Sequence, residues 1–330
     1  MDQAMKKYSV GIDIGGTKCA VVLGKGRLEN ASREGFILDR IVFPTKEEAG
    51  WRGTVQKLIS SVEELWQRHQ VLPGEVVGIG ISCGGPLDHK KGMIMSPPNL
   101  YGWDQVPIVE ILQDQFRIPV HLENDANACA VAEWKFGVAR GMNNIIFLTF
   151  GTGLGAGLIL DGKLYHGASD MAGEAGHIRL AEAGPVGYGK SGSFEGFCSG
   201  SGISQLAGIR LLEELQQGKR CQVERWCGQE KITAESLAAA AREGDAFAHS
   251  VFDLSAVYLG KGLAVLIDIL NPEMIVIGSV YERCQELFQE KMWEVLRKEA
   301  LESACGVCRV EAASLGNEVG DYAALAVAFG

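Results

Sequence analysis

Asp13, Gly15, Gly16, Thr17 and Lys18 stand together in the run Val10-Gly11-Ile12-Asp13-Ile14-Gly15-Gly16-Thr17-Lys18, a composition suited to holding a phosphate. Glycine lets backbone N–H groups approach a ligand with no Cβ in the way. Successive N–H groups in such a turn form a concavity that favours anions. Thr17 adds a hydroxyl and Lys18 a counter-charge. The Asp13 carboxylate would repel a bare phosphate, so it makes chemical sense beside a bridging cation, most simply hydrated Mg²⁺. A loose second copy follows. A shift of 136 positions lays Gly15 on Gly151, Ala20 on Ala156, Gly26 on Gly162 and Leu28 on Leu164 without a gap, with Arg27 and Lys163 alike in kind. There Gly151, Thr152 and Gly153 take over the phosphate-holding role. Each turn alone is also compatible with a plain β-hairpin; the ungapped pair points to two halves that grip a nucleotide.

Commoner phosphate motifs do not account for these turns. The pattern GxxxxGK[ST] is absent. Gly151-Thr-Gly153-Leu-Gly155-Ala156 fits the dinucleotide spacing, but that motif needs a helix directly after the glycines. Gly157-Leu-Ile-Leu160 followed by Asp161-Gly162 reads instead as a strand ending in a hairpin.

The elements that must position these turns alternate in type. Strands are expected at Tyr8–Ile14, Cys19–Leu23, Ile37–Phe43, Val76–Ser82, Pro119–Leu122 and Met274–Ile277, with a strand-rich stretch over Ile145–Tyr165. Helices are expected at Trp51–His69, Pro107–Phe116, Asp125 to about Phe136, Ser201–Gln216, Ala234–Arg242, Phe247–Leu270, Gln285–Lys298 and Tyr322–Phe329. The result is a doubled βββαβα pattern of α/β class with helices on both sheet faces.

Length and composition narrow the function classes. At 330 residues the chain has material for two cores. The repeat suggests a small domain of residues 1–124 joined by a C-terminal helix at 318–330, and a large domain of residues 125–317. A net charge of −10 argues against a nucleic-acid or anionic-membrane surface. No apolar run reads as a membrane span and Met1–Lys7 does not read as a signal peptide, so a cytoplasmic protein is expected. Nine scattered cysteines read as reduced thiols, the Cys305-Gly-Val-Cys308 pair included.

Five ordered motifs then resemble one family. Asp13-Ile-Gly-Gly-Thr-Lys18, Pro98-Asn99-Leu100, Glu123-Asn124-Asp125-Ala126-Asn127, Gly151-Thr-Gly-Leu-Gly155 and Ala172-Gly-Glu174-Ala-Gly-His177 are similar to the ROK family (repressors, open reading frames and kinases). The resemblance implies a two-domain actin-like ATPase (ribonuclease H-like) fold with an interdomain cleft that takes ATP and a hexose, and a homodimer. It also implies that Asp125 is the general base for a sugar hydroxyl. Read from the sequence alone, Asp125 could equally be a helix N-cap. Asn99, Asn124, Glu174, His177 and Glu195 match family positions that contact the sugar, and Gly85 lies in a Gly84-Gly85-Pro86 turn where backbone could approach the ring. Gly278, ending the strand Met274–Ile277, is placed to wall the adenosine; the family usually has glycine where Ser279 stands.

One departure is marked. Most members carry three cysteines before the glutamate equivalent to Glu195, and these hold a structural zinc together with the histidine equivalent to His177. The aligned positions here are Val186, Tyr188 and Ser193, and Cys198 alone cannot replace three ligands. No zinc site is expected there, and packing around Tyr188 and Phe194 would have to hold the loop. The expected function is an ATP- and Mg²⁺-dependent hexose kinase acting on the 6-hydroxyl of glucose or a related hexose or N-acetylhexosamine. A non-catalytic sugar sensor of the same fold is the alternative. A repressor is disfavoured, since only seven residues precede the strand at Tyr8.

Overall fold

The computed structural model describes residues 7–26, 28, 33–45, 50–218 and 232–330. Arg27 of the repeat and the first six residues therefore lie outside the described residues. Among the described residues two five-stranded sheets form, with strand orders β3-β2-β1-β4-β7 and β10-β9-β8-β13-β14. The first contains β1 (Tyr8–Ile14), β2 (Lys18–Lys25), β3 (Ile37–Pro44), β4 (Val76–Cys83) and β7 (Val120–Asn124). Between β4 and β7 lie the short hairpin strands β5 (Leu87–Asp88) and β6 (Met93–Ile94). The second sheet contains β8 (Ile145–Leu148), β9 (Ala156–Leu160), β10 (Lys163–Leu164), β13 (Met274–Ile277) and β14 (Arg309–Ala312). A separate hairpin pairs β11 (Val186–Gly187) with β12 (Lys190–Ser191).

The repeat is visible in the pairing. β1 runs antiparallel to β2 and parallel to β4, as β8 runs antiparallel to β9 and parallel to β13. Its third strand is less regular. In the second copy it shrinks to Lys163–Leu164, and in the first it begins only at Ile37, well beyond the Gly26 turn. Because β9 follows the second glycine turn directly, the dinucleotide motif is excluded.

The chain divides into two compact units. The first comprises Met1–Gly141, Lys163–Ala172 and Ser314–Gly330, and the second Met142–Gly162 and Gly173–Ala313. The 124/125 boundary suggested by the repeat thus falls inside the first unit. Helix α3 (Asp125–Lys135) belongs there because its alanine face packs with the C-terminal helix Val319–Val327 in one apolar cluster.

In the first unit the central strands β1 and β4 are largely buried on both faces, one lined by Val10, Ile12, Ile14, Ile79 and Ile81 and the other mostly by glycine and serine. Helix α1 (Gly50–Arg68) buries Val55, Leu58, Ile59, Val62, Leu65 and Trp66, a single stripe at helical spacing, in the same cluster as Leu112 and Phe116 of α2 (Ile108–Phe116). The C-terminal helix lies on the other face, close enough that side chains would obstruct it. A Cβ on Gly80 would sit 2.2 Å from the Ala324 carbonyl oxygen and 2.3 Å from the Ala328 nitrogen. Strand β3, at the sheet edge, alternates half-buried and exposed residues.

Glu133 ties these pieces together. Its side chain is fully buried on α3, where its carboxylate accepts hydrogen bonds from the Val138, Ser314 and Leu315 backbone nitrogens at 3.0, 2.7 and 2.9 Å, and from Ser314 Oγ at 2.9 Å. Glu133→Ala strands several buried donors at once and is expected to lower stability by about 3 kcal/mol. Urea unfolding followed by circular dichroism checks this; a loss below about 1 kcal/mol would contradict it.

In the second unit, helix Ala246–Leu270 is long and apolar enough by length and composition to cross a membrane, contrary to the expectation that no segment would be. Its most apolar window is 61% buried, and Val251, Phe252, Ala256, Leu259, Leu263 and Ile267 place it in the protein core. Helix Val280–Glu299 starts five residues before the expected Gln285, because non-helical φ and ψ at Cys284 break it into a short first turn and a regular body. Of the Cys305–Cys308 pair, Cys308 is buried, and burial pushes its thiol up to about 12.

Candidate active site

Asp13 lies near the C-terminal end of β1, opposite Ala20 of β2 and Ser82 of β4. The glycine turn after it is braced from outside. Gly15 N donates to Lys18 O at 3.1 Å, Thr45 Oγ1 donates to Gly15 O at 2.6 Å, and Thr45 N donates to Thr17 O at 3.0 Å. Thr17 and Lys18 stay exposed. A Cβ on Gly16 would fall 2.4 Å from the Asn99 carbonyl oxygen, so only glycine lets this turn lie against the segment carrying Asn99. The first unit thereby joins a residue read from the phosphate motif to one read from the sugar motif.

Asn124 and Asp125 share the start of α3, and the structure divides the two readings of Asp125. The cap is Asn124, whose Oδ1 accepts from Ala126 N at 3.0 Å, while Asp125 is the first helical residue with Oδ1 accepting from the same nitrogen at 2.8 Å. Gly84 and Gly85 face this group. A Cβ on Gly84 would be 3.6 Å from Asn99 Nδ2 and 3.8 Å from Asp125 Oδ2, and one on Gly85 would be 3.2 Å from Asn124 Nδ2. The Gly85–Pro86 peptide is cis. Asn99, Asn124 and Asp125 therefore gather around one glycine turn.

The electrostatics of this cluster include a residue that sequence reading missed. Asp321, buried at the start of the C-terminal helix, pairs with Arg40 at 3.1 Å. Burial raises the Asp13 carboxyl to about 6, helped by the neighbouring Asp125 and Asp321 carboxylates and opposed by Lys18 and Arg40. Burial likewise raises Asp125 and Asp321. Asp321 could not be picked out in sequence, where a lone aspartate before a helix is a routine feature. Asp13, pressed by the Asp125 and Asp321 carboxylates, suits a hydrated divalent cation. Asp13 would hold it through water, and when bound it would neutralise phosphate charge.

In the second unit the glycine turn is tied at every step. Gly151 N donates to Gly153 O at 2.9 Å and Gly155 N to Thr149 Oγ1 at 2.9 Å. The start of helix Gly200–Gln216 meets it, with Gly200 N donating to Gly151 O and Ser201 Oγ to Thr152 O, both at 2.7 Å. Glu195, expected on the sugar, spends Oε2 on the Leu154 N–H at 2.9 Å, so it also fixes this turn. Glu174 precedes the single turn Ala175–His177, His177 ends it, and both are exposed.

In the loop over 186–198, the Ser193 and Cys198 side chains are engaged within the protein. Ser193 Oγ is occupied as the acceptor from Gly196 N, and the buried Cys198 thiol donates to Ser255 O. Burial also pushes that thiol far up, against the thiolate a metal would need. What holds the loop differs from the expectation in one respect. Phe194 is fully buried, but Tyr188 is 80% exposed and meets the His177 ring edge-on at 6.5 Å, while Lys190 Nζ donates to His177 O at 2.7 Å.

Gly278 N donates to Leu148 O at 3.0 Å, placing the end of β13 beside the start of the glycine turn. Ser279 has φ 55° and ψ −108°, a conformation that favours glycine. Ser279→Gly is expected to stabilise the protein by about 1 kcal/mol, the relieved strain outweighing the added freedom of the unfolded chain. A denaturation midpoint equal to or below wild type would refute this.

The comparisons with known proteins now bear on these two glycine turns and the carboxylate beside the first. The ROK family model matches residues 9–329. The chain belongs to the ROK family. A glucokinase of Halalkalibacterium halodurans is 30% identical over 316 residues, covering 95% of this chain and 92% of that protein. A xylose repressor of Caldicellulosiruptor bescii is 35% identical over 242 residues, 73% of this chain and 59% of that protein. Among solved structures, a ROK family glucokinase from Streptomyces griseus in complex with glucose and AMPPNP superposes with TM-score 0.74 at 29% identity, covering 97% of this chain and 99% of that one. The fold is accordingly the two-domain α/β ROK fold, of actin-like ATPase type, as the sequence motifs implied. The family holds both kinases and repressors, so its name leaves the activity to be argued from the residues.

Proposed function

We propose that this chain is an ATP-dependent sugar kinase that phosphorylates the 6-hydroxyl of glucose or a closely related hexose. The observation that carries the reading is the grouping of Asn99, Asn124 and Asp125 around Gly84–Gly85, beside the Asp13–Lys18 turn and within one compact unit. Such a grouping supplies what phosphoryl transfer to an alcohol requires: amides to orient hydroxyls, a solvent-reachable carboxylate to take a proton, and a glycine turn for phosphate. The glucose and AMPPNP bound by the Streptomyces griseus relative support both substrates.

In this reading Asp125 orients the sugar hydroxyl and accepts its proton as the O–P bond forms. The helix start places one carboxylate oxygen on Ala126 N, which fixes the direction of the other. Asn99 and the Asn124 amide hold neighbouring hydroxyls, and Glu174, His177 and Glu195 contribute further sugar contacts. Gly15, Gly16, Thr17, Lys18, Gly151, Thr152 and Gly153 hold the phosphates of ATP, and Gly278 borders its base. Mg²⁺ is the cation that Asp13 retains. A cytoplasmic homodimer is part of the same proposal.

The test is ADP release from purified protein with MgATP and glucose, mannose, fructose, allose, N-acetylglucosamine or N-acetylmannosamine. Release that depends on one sugar and saturates with it supports the kinase. Sugar binding by calorimetry without release across the panel would replace it with a sensor.

A further inference from the structure

Three titratable side chains from three separate segments of the first unit converge, and a fourth, Asp170, stands beside one of them. His89 follows β5, Glu123 belongs to β7, and His166 and Asp170 come from the Lys163–Ala172 segment. We propose that His89, Glu123 and His166 form a binding site for one divalent transition-metal ion, with Asp170 beside His89 as its fourth side chain. The site is independent of the kinase reading, and it is distinct from the 186–198 loop on which the expectation of no zinc rested.

Distances come first. One ligand atom each from His89, Glu123 and His166 lies within 4.8 Å of the other two, close to what a single ion can span. His166 Nε2 is 2.7 Å from Glu123 Oε2, and His89 Nδ1 is 3.6 Å from Asp170 Oδ1. The second distance is the informative one. Both atoms are buried, and neither has a hydrogen-bond partner. A charge-assisted hydrogen bond between them would close to roughly 2.8 Å. Two ligands of one tetrahedral ion with bonds of about 2.0–2.1 Å stand on the order of 3.4 Å apart, which is the spacing found.

Orientation and donor chemistry agree. Glu123 Oε1 is held by Asn124 N and Asn127 Nδ2, both at 2.9 Å, which leaves Oε2 for the cluster and supplies the outer hydrogen bonds that ligating carboxylates use. The Lys163–Ala172 segment is shaped before any ion arrives: Ala172 N donates to His166 O at 3.1 Å, and Gly167 and Asp170 adopt positive φ. The His89 and His166 rings stack at 4.4 Å, nearly parallel, so the two imidazoles are already neighbours and one ring has to rotate to bring its in-plane lone pair onto a shared ion. Two imidazoles and two carboxylates suit zinc and its first-row neighbours better than Mg²⁺ or Ca²⁺. The His89 and His166 side chains are 36% and 26% exposed, which leaves an entry from solvent. Without an ion, hydrogen bonds from His166 and Asn127 hold Glu123 low against its burial, and Glu123 holds His166 high, so the two form an ion pair that a metal would have to open.

The experiment uses the full-length chain, stripped with chelator and desalted, and titrated with Zn²⁺ by calorimetry and with Co²⁺ by visible absorption. Four proteins are compared: wild type, His89→Ala, His166→Gln and the double variant Cys305→Ser/Cys308→Ser. Far-UV circular dichroism verifies folding, and His89, on a partly exposed hairpin, is the safer of the two histidines. The expected result is one equivalent of Zn²⁺ in wild type and in the cysteine variant. Each histidine variant should bind at least ~10-fold more weakly. Visible Co²⁺ bands without sulfur-to-metal charge transfer should appear and be displaced by Zn²⁺. Absence of saturable binding overturns the proposal. So does binding that persists unchanged in both histidine variants, or a thiolate signature that disappears with the cysteines.

Discussion

Asp125→Asn is expected to lower kcat for the preferred sugar by about 10³-fold while KM for that sugar moves by less than about tenfold. Asparagine keeps the size of the side chain and an oxygen able to accept from Ala126 N, so the helix start and the Gly84–Gly85 contacts survive. What is lost is the group that takes the proton. The pH profile adds a second handle. Burial raises the Asp125 carboxyl above the ordinary aspartate value, and a base works only when deprotonated. Activity of the wild type should therefore fall on acidification at a higher pH than an unperturbed aspartate would give, and the small residual rate of the variant should lack that limb. A coupled ADP assay across pH measures both. Residual activity above about a tenth of wild type would remove Asp125 from the role of base.

Asp13→Asn is expected to separate stability from activity. The Asp13 carboxyl sits at about 6 in the folded protein against an ordinary 3.8, driven first by burial and then by Asp125 and Asp321. The sign follows from which state holds the proton more tightly. Below about 3.8 the group is neutral in both states and costs nothing; as pH rises through about 6 the folded chain must carry a charge that its surroundings disfavour. At neutral pH that penalty is on the order of 2 kcal/mol, after allowance for the part of the group still reached by solvent. Asparagine removes it, so the variant should melt a few degrees higher at pH 7.5 in the absence of Mg²⁺, about 3 °C, and the difference should vanish near pH 4. The same change removes the carboxylate proposed to retain the cation, and turnover should drop roughly 10²-fold. Scanning calorimetry with and without Mg²⁺ checks the first half: Mg²⁺ should stabilise wild type and leave the variant unmoved. A variant that melts lower than wild type at pH 7.5 would show that Asp13 is held by its neighbours rather than strained by them.

Such a strained charge beside a glycine turn is the kind of feature that folding alone would remove. Replacing Asp13 is expected to raise stability, and the role proposed for it with ligands bound accounts for keeping the charge. Glu133 makes the opposite case, a buried carboxylate whose hydrogen bonds hold Ser314 and Leu315 to α3. Burial by itself does not distinguish the two; the partners do.

The sequence determined the local chemistry and most of the elements. Tyr8–Ile14, Ala234–Arg242 and Met274–Ile277 fall where apolar pattern placed them, and most other helices begin or end within a residue or two of expectation. The reason is physical: β13 is apolar along its length, β1 and β4 carry apolar residues at alternate positions, and α1 carries its stripe at helical period, so each is specified by its own residues. The two glycine turns were legible because their residues are contiguous. What tertiary structure alone decided is who stands beside whom. Asn124 rather than Asp125 proved to be the cap, because the backbone geometry at the strand-to-helix junction selects it. Asp321 reached Asp13 through the packing of the C-terminal helix on bare glycines, and Glu195 took hold of Leu154 across 41 residues of chain. His89, Glu123, His166 and Asp170 show no spacing that a motif could encode. Their meeting depends on a hairpin, a strand and a returning segment folding together, and a contact made by topology leaves no periodicity in the sequence.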